Sequence, residues 1–253
     1  MTDGNIIQSV AKAMQLLEVL SQARRPMSLT ELSQKTGWPR STVFGLLTTM
    51  RQAGVIAQRE DGRYALGLKL FEYGCSVSSS WNISNIARPY MAKLCAETDA
   101  SVVLSVYDGG DVVILDQAEG HGSFRIVLDL GSRLPLHATS QGKLFLSAMS
   151  PSAVAQVFSE PLTLYTPHTI SDLETISGEL EQIRQNGYAI ENGEYKIGLR
   201  SVSAPVYNMD GTMQYTISII GMFRRIQSEE FQHAIELAVA AAHSISLALG
   251  HQG

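Results

Sequence analysis

With 253 residues, 45% of them hydrophobic and 17% charged, the chain has a globular composition and can build one large core or two smaller ones. No apolar run reaches the roughly 20 residues that span a bilayer, and MTDGNIIQSVAKAMQLLEVL lacks the basic start and continuous apolar stretch of a secretory leader. A cytoplasmic protein without a membrane partner is expected. Cys75 and Cys95 follow no metal-ligand or redox spacing, so both are read as free thiols.

The net charge of −5 would speak against nucleic acid if it were spread evenly, and it is not. Residues 1–75 hold nine Lys/Arg against six Asp/Glu, whereas residues 76–253 hold ten against eighteen. A basic first part joined to an acidic remainder suits a chain whose N-terminal part meets a polyanion.

Along that first part, Ile6, Val10, Met14, Leu17 and Leu20 recur at steps of three and four and predict a helix with those residues on one face. Arg24, Arg25 and Pro26 end it. Ser28 with Glu31 forms a capping box that starts a short second helix, closed by Gly37 in the left-handed conformation. Pro39 suits the first turn of a third helix, over about Arg40 to Gln52, whose buried face is Val43, Leu46, Leu47 and Met50. Gly54 stops it, and VIAQREDGRYALG reads as two short strands around Asp61-Gly62. Helix, helix, short turn, helix and β-hairpin make a winged helix-turn-helix.

The third helix then turns Arg40, Ser41, Thr42, Phe44, Gly45 and Thr48 to solvent, in the half that enters the major groove in such domains. Arg40 can take a phosphate or a guanine edge, and Ser41 and Thr42 suit phosphate oxygens or base contacts. Arg59 and Arg63 flank the wing tip, where phosphates or a minor groove lie within reach.

Leu66–Tyr73 and Ile83–Glu97 bracket the polar run Ser76–Ser80, read as the joint between domains, in or beside a connecting helix. The boundary is set at 75/76, with a DNA-binding and dimerisation domain before it and the linker helix and an effector domain after it. In that second part strands are expected over Val102–Val106, Val112–Ala118 and Phe124–Leu128, the first two joined by a turn at Asp108-Gly109-Gly110-Asp111. Helices are expected near Ser140, near Ser152, and from Ser171, where Ser171 and Glu174 form a capping box and Asn186-Gly187 the end. Strands follow over Tyr188–Glu191, Ser201–Tyr207 and Thr212–Met222, the last two linked by Asn208-Met209-Asp210-Gly211. A helix over Ser228–Leu249 closes the chain, carrying Phe231, Ile235, Leu237, Val239 and Ile245. The fold class is α+β, an antiparallel sheet with flanking helices.

In LPLHATSQGKLFLSA, the backbone at Ser140, Gln141 and Gly142 opens a helix, where free N–H groups and the macrodipole favour an anion. Glu191, Ser201 and Ser218 supply further polar groups that could line one pocket; each could equally cap a helix or bond the sheet backbone. Catalysis finds little support: six scattered histidines form no HxxxH or HExxH pair, and no G-x-S-x-G elbow, Walker A loop or Rossmann pattern occurs. His137 near Ser140 resembles a base beside a nucleophile, but no third member is identifiable. No cofactor or metal site is expected. The rival reading is a ligand-binding or enzymatic module whose N-terminal helices serve only dimerisation.

Over nearly its whole length the chain resembles the IclR family of bacterial transcriptional regulators. The likeness rests on IIQSVAKAMQLLEVL, MSLTELSQKTGWPRSTVFGLL, GRYALGLKLFEYG, GSRLPLHATSQGK and NGYAIENGEYKIGLRSVSAPVYNMDG. It implies an N-terminal winged helix-turn-helix, a linker helix and a GAF-like effector-binding domain. It also implies a repressor whose paired N-terminal domains, in a homodimer or a dimer of dimers, bind a palindromic operator in double-stranded DNA. By that likeness the recognition helix falls on Arg40 to Arg51, and with the wing the expected DNA-contacting set is Ser28, Arg40, Ser41, Thr42, Phe44, Gly45, Thr48, Arg59 and Arg63. The effector set is Leu134, Ser140, Gln141, Gly142, Glu191, Ser201, Ser218 and Ile220. Two departures stand out. Gly45 takes a place where the family usually has arginine, and Ser201 turns the common GLRC or GVRC into GLRS, which favours a polar effector such as an organic acid or sugar acid.

Overall fold

A computed structural model describes residues 6–80, 83–120, 126 and 128–252, with the side chains of 77–80 left aside. The chain divides into two compact units, Met1–Trp81 and Asn82–Gly253.

The first unit opens with α1 (Gln8–Ala23), α2 (Leu29–Thr36) and α3 (Arg40–Gln52). Ser28 caps α2 through a reciprocal box with Glu31, and Gly37 ends the helix at φ 73°. Hydrogen bonds from the Ser28 backbone and side chain, together with Arg25, hold the Glu31 carboxyl down at about 2. Pro39 is the residue just outside α3 and not its first helical position; its fixed φ serves there too, at −56°. Val43, Leu47 and Met50 are buried, and Leu46 packs against them from the edge.

The apolar face expected for α1 is only partly buried, through Leu17 and Leu20. Leu16 and Leu20 face the core with Ala13 and Ala23, whereas Ile6, Val10 and Met14 are 65%, 55% and 62% exposed. The helix carries two adjoining apolar arcs, and a three-and-four periodicity does not say which of them its own domain covers. The wing consists of β1 (Ile56–Gln58) and β2 (Tyr64–Leu66), with Met27 bridged to Tyr64 as a third partner. Its turn is longer than a two-residue hairpin: Arg59 N–H donates to the Arg63 carbonyl at 2.8 Å, and Gly62 takes φ 80°. Ser76–Ser80, expected as a joint, continue α4 (Leu68–Ser80).

The second unit begins with α5 (Ile83–Thr98), then β3 (Ser101–Asp108) and β4 (Asp111–Ala118), joined at Gly109 and Gly110, both at positive φ. The strand expected over Phe124–Leu128 falls largely outside the described residues; Ile126 and Leu128, which are described, are not in a strand. β5 (Arg133–Leu134), α6 (Ser140–Ser147), α7 (Pro151–Val157) and α8 (Leu173–Asn186) follow. Asp172 caps α8 by accepting from the Thr175 amide at 2.8 Å, in place of the expected box at Ser171 and Glu174. A carboxylate one residue later serves the positive helix end better than a hydroxyl. The remainder is β6 (Ala189–Asn192), β7 (Arg200–Tyr207), β8 (Met213–Gly221) and α9 (Glu229–Ala248). All pairings are antiparallel, in the order β5-β4-β3-β8-β7-β6.

Alternation along the strands sorts two cores. Val102, Leu104, Val202, Ala204, Ile217 and Ile219 face α5 and α9, with Phe231, Ala234 and Ile235 opposite. Val103, Val112, Ile114 and Ile220 face α6 and α8, with Leu144, Ile176 and Leu180. The second face also buries a charge. Lys143, fully inaccessible on α6, donates to Glu194 Oε1 and Oε2 at 2.7 and 2.9 Å and to Glu179 of α8. That cluster fixes the connection between β6 and β7, with Thr166 Oγ1 donating to the Gly193 carbonyl and Thr169 Oγ1 to that of Glu194, both at 2.7 Å.

Removing one partner of such a pair strands the other charge out of water. Lys143→Met, which keeps most of the volume, is expected to cost about 3–5 kcal/mol at neutral pH by urea unfolding. Burial already raises the Glu194 carboxyl, so the deficit should shrink as the pH is lowered from neutral and Glu194 takes a proton. Full stability of the variant at neutral pH would show that the cluster does not hold the connection.

Candidate functional site

Two surfaces carry groups that the fold does not consume. The first is the start of α3. Arg40, Ser41, Phe44 and Gly45 are exposed, Phe44 by 53%, and Thr42 and Thr48 are half-buried. Arg40 Nη2 donates to Thr30 Oγ1 of α2, which holds the guanidinium beside the helix entry. Thr48 Oγ1 donates to the Phe44 carbonyl of its own helix at 2.8 Å. A Cβ added at Gly45 would meet nothing within 4 Å, so the glycine answers no packing demand.

Around this start, the Ser28 hydroxyl is engaged as the α2 cap, accepting from the Glu31 amide at 3.3 Å. Arg63 lies 3.5 Å from Glu31 and 3.6 Å from Asp61, while Arg59 stands exposed at the wing tip without an ion pair among the described residues. An exposed basic helix start with a basic wing beside it is the geometry by which such domains meet a duplex.

The second surface is a cavity of about 450 Å³ in the second unit, on the α6 face of the sheet. Of the eight expected effector residues, Leu134, Gln141, Glu191, Ser201 and Ile220 line it. Ser140, Ser218 and Gly142 do not. The Ser140 hydroxyl lies 2.7 Å from those of Ser201 and Ser203, and Ser203 lies 2.7 Å from Ser218, so these serines form a buried row behind the wall. Gly142 is there for packing: a Cβ would come within 2.3 Å of the Leu136 carbonyl oxygen, and its amide is taken by Thr139 Oγ1.

Periodicity could not reveal the remaining lining. Tyr195, Lys196, Ile197 and Leu199 come from the connection between β6 and β7, Met222 from just beyond β8, and Ile126, Leu128 and Thr139 from irregular segments. Glycines at 193 and 198, both at positive φ, shape the connection, and NGEYKIG was its only signal.

The polar end of the cavity is specific. Glu191 Oε1 accepts from the amides of Glu194 and Tyr195 at 2.7 and 3.1 Å, and Oε2 lies 3.4 Å from Ser201 Oγ. Burial lifts this carboxyl to about 7 despite those two amides and the Lys143 ammonium, with the Glu194 charge adding to the rise. The Gln141 side chain is 1% exposed, and its Nε2 has no partner. Its Oε1 accepts from Ser140 Oγ at 3.3 Å. The walls beyond are apolar, a combination typical of small-molecule sites of this size.

A nucleophile–base pair is absent from the described residues. His137 Nε2 lies 3.0 Å from the Thr163 carbonyl, and the Ser140 hydroxyl is committed to Ser201 and Ser203. Nor do three His, Cys, Asp or Glu residues converge to hold a metal ion among the described residues. No helix among them is long and apolar enough to cross a membrane.

Both units match known families. The model of the IclR helix-turn-helix domain matches residues 9–60, and that of the bacterial transcriptional regulator IclR C-terminal domain matches residues 75–247. The acetate operon repressor of Salmonella typhimurium is 33% identical over 248 residues, 96% of this chain and 90% of the relative. A crystal structure of an IclR transcriptional regulator from Alicyclobacillus acidocaldarius superposes with TM-score 0.84 at 27% identity, covering 97% of this chain and all of that one. A further fold neighbour is an IclR homologue from Microbacterium hydrocarbonoxydans, complexed with 4-hydroxybenzoate. It has TM-score 0.85 at 22% identity and covers 95% of this chain and 98% of its own. The chain is therefore not an enzyme but a DNA-binding transcriptional regulator with a C-terminal effector-binding domain, and it belongs to the IclR family.

Proposed function

We propose that the protein is a cytoplasmic repressor whose paired N-terminal units bind a palindromic operator, and that a small carboxylate in the Glu191 cavity changes that binding. The observation that carries the DNA half is the free start of α3. Arg40, Ser41 and Phe44 are exposed there beside a basic wing, while Val43, Leu47 and Met50 anchor the same helix in the core. The relatives' names, acetate operon repressor among them, favour repression over the rival of a module that only dimerises through its N-terminal helices.

Pairing of two chains supplies an occupant for the second apolar arc of α1. Ile6, Val10 and Met14 are exposed there, and a self-complementary contact matches a palindromic site. Symmetric heads then engage half-sites about 34 Å apart, or a multiple of that distance. The effector half rests on the cavity. It combines apolar walls with the partnerless Gln141 amide at its polar end, and the 4-hydroxybenzoate of the fold neighbour is an amphiphile of that kind. Linkage makes the coupling reciprocal: an effector that weakens operator binding binds less well to the operator complex.

Three measurements test this reading. Titration of the full chain with duplex DNA from its own gene neighbourhood should show affinity that falls steeply with salt, and Arg40→Ala should weaken operator binding about tenfold to a hundredfold while relaxing base preference. Unchanged affinity of that variant for both operator and random duplex would exclude Arg40 from the interface. Met14→Asp should leave the fold intact, because the side chain is outside the core, yet shift sedimentation toward monomer and weaken operator binding; a dimer as tight as the parent's would reassign the arc. In a thermal-shift screen, small carboxylates should raise the melting temperature, and a response to neutral sugars alone would remove the carboxylate assignment.

A further inference from the structure

The cavity presents an electrostatic difficulty for the ligand just proposed. Of the three ionisable side chains that line it, Glu191, Tyr195 and Lys196, Glu191 alone is buried, at 1% exposure, and it is itself an acid. Lys196 is exposed, and the Lys143 ammonium of α6 is committed to Glu194 and Glu179. Two unit negative charges about 4 Å apart would cost roughly a thousandfold in affinity at the effective dielectric of such sites. Gln141 also lines the cavity, and its buried Nε2 donor lacks an acceptor, which is expensive for a buried amide and calls for a ligand oxygen. A bare anion satisfies Gln141 and offends Glu191; a proton reconciles them.

The hydrogen bonds say where that proton sits. Glu191 Oε1 already receives two backbone amides, at 2.7 and 3.1 Å, so Oε2 is the atom left to carry it. Ser140 ties both ends of the polar wall together: its hydroxyl lies 3.3 Å from Gln141 Oε1 and 2.7 Å from Ser201 Oγ, which in turn lies 3.4 Å from Glu191 Oε2.

We infer that the effector carboxylate is held as an acid–carboxylate pair, accepting one hydrogen bond from Gln141 Nε2 and sharing with Glu191 Oε2 a proton drawn from solvent on binding. This rests on the carboxylate reading of the cavity. The proton comes from bulk water and returns there on release; no other bond changes. Every charged neighbour of Glu191 enters the balance. Glu194, on the same connection, favours uptake, and Lys143 of α6 opposes it, with Glu179 of α8 neutralising part of Lys143. Tyr195 and Lys196 follow on the connection, and His168 lies beside Gly193.

Because burial puts the Glu191 carboxyl near 7, the group is largely protonated below that pH and ionised above it. Affinity for a carboxylate is therefore level below about pH 7 and falls toward tenfold per unit above it. The test is calorimetry of the full chain with benzoate, 4-hydroxybenzoate and pyruvate, each beside its primary amide, at about pH 6 to 8.5 in two buffers of different ionisation enthalpy. The expected result is carboxylate binding with close to one proton taken up at the alkaline end, and the tenfold-per-unit weakening. Glu191→Gln should keep binding but lose both the uptake and the slope. The uptake on the unmodified chain decides the question alone should that variant fold poorly. Carboxylate binding with no proton uptake and a flat pH profile would overturn the shared proton and leave the carboxylate reading standing. Binding of the amides without the acids, or of no probe, would overturn both.

Discussion

A lysine with no accessible surface is the constraint around which the effector domain is arranged. An ammonium out of water must be met by carboxylates, and Lys143 is met by Glu194 from the connection between β6 and β7 and by Glu179 from α8. α8 also meets α6 through the apolar contact of Ile176 and Leu180 with Leu144, whereas the connection is drawn to α6 by the charge of Glu194. Once Glu194 is drawn in, the residues before and after it are placed as well. Glu191 turns inward and caps the connection through the amides of Glu194 and Tyr195, and the chain that follows becomes a wall of the cavity. The charge cluster itself is not the binding surface. It locates the groups that line the cavity.

The same sheet face buries a row of hydroxyls, and its economy shows how the cavity is kept polar at one end only. Ser140, Ser201, Ser203 and Ser218 satisfy one another through contacts of 2.7 Å, so most of their hydrogen-bonding capacity is used within the protein. Only Ser201, Glu191 and the free Gln141 amide bring polar atoms of this network to the cavity. A ligand then meets a small polar end and long apolar walls, and orientation follows from chemistry that is local to that end.

The order of elements was readable because each was announced by a residue with one physical use. Ser28 with Glu31 could only start a helix economically, Gly37 and Gly187 could end one at positive φ, and Gly109-Gly110 could close a tight hairpin. What remained illegible was what depends on a partner. The α1 pattern of Ile6, Val10 and Met14 is as periodic as a core stripe, yet the core of its own unit takes Leu16 and Leu20. Cavity-lining residues in the connection between β6 and β7 carry no period, because a loop built on two glycines imposes none on Tyr195, Ile197 or Leu199. Likewise Ser140, Ser201 and Ser218 look alike in sequence, and only the packing decides that Ser201 faces the cavity while the other two stand behind it.

Gly45 brings these levels together on the DNA-binding unit. A glycine in an exposed helix interior costs about 1 kcal/mol relative to alanine. Packing does not require it, because a Cβ there would meet only open space. Backbone conformation does not require it either, since Gly45 is not among the glycines at positive φ. The position lies one residue after Phe44, on the exposed side of α3. A residue that stability disfavours and neither fold nor conformation demands is best explained by the surface it leaves bare. Without a side chain at 45, the backbone of α3 and the Phe44 ring can approach a duplex more closely than a long guanidinium would permit. The consequence lies in specificity: if α3 enters a duplex as proposed, readout at this position rests on shape and apolar contact, where an arginine would read by hydrogen bonds.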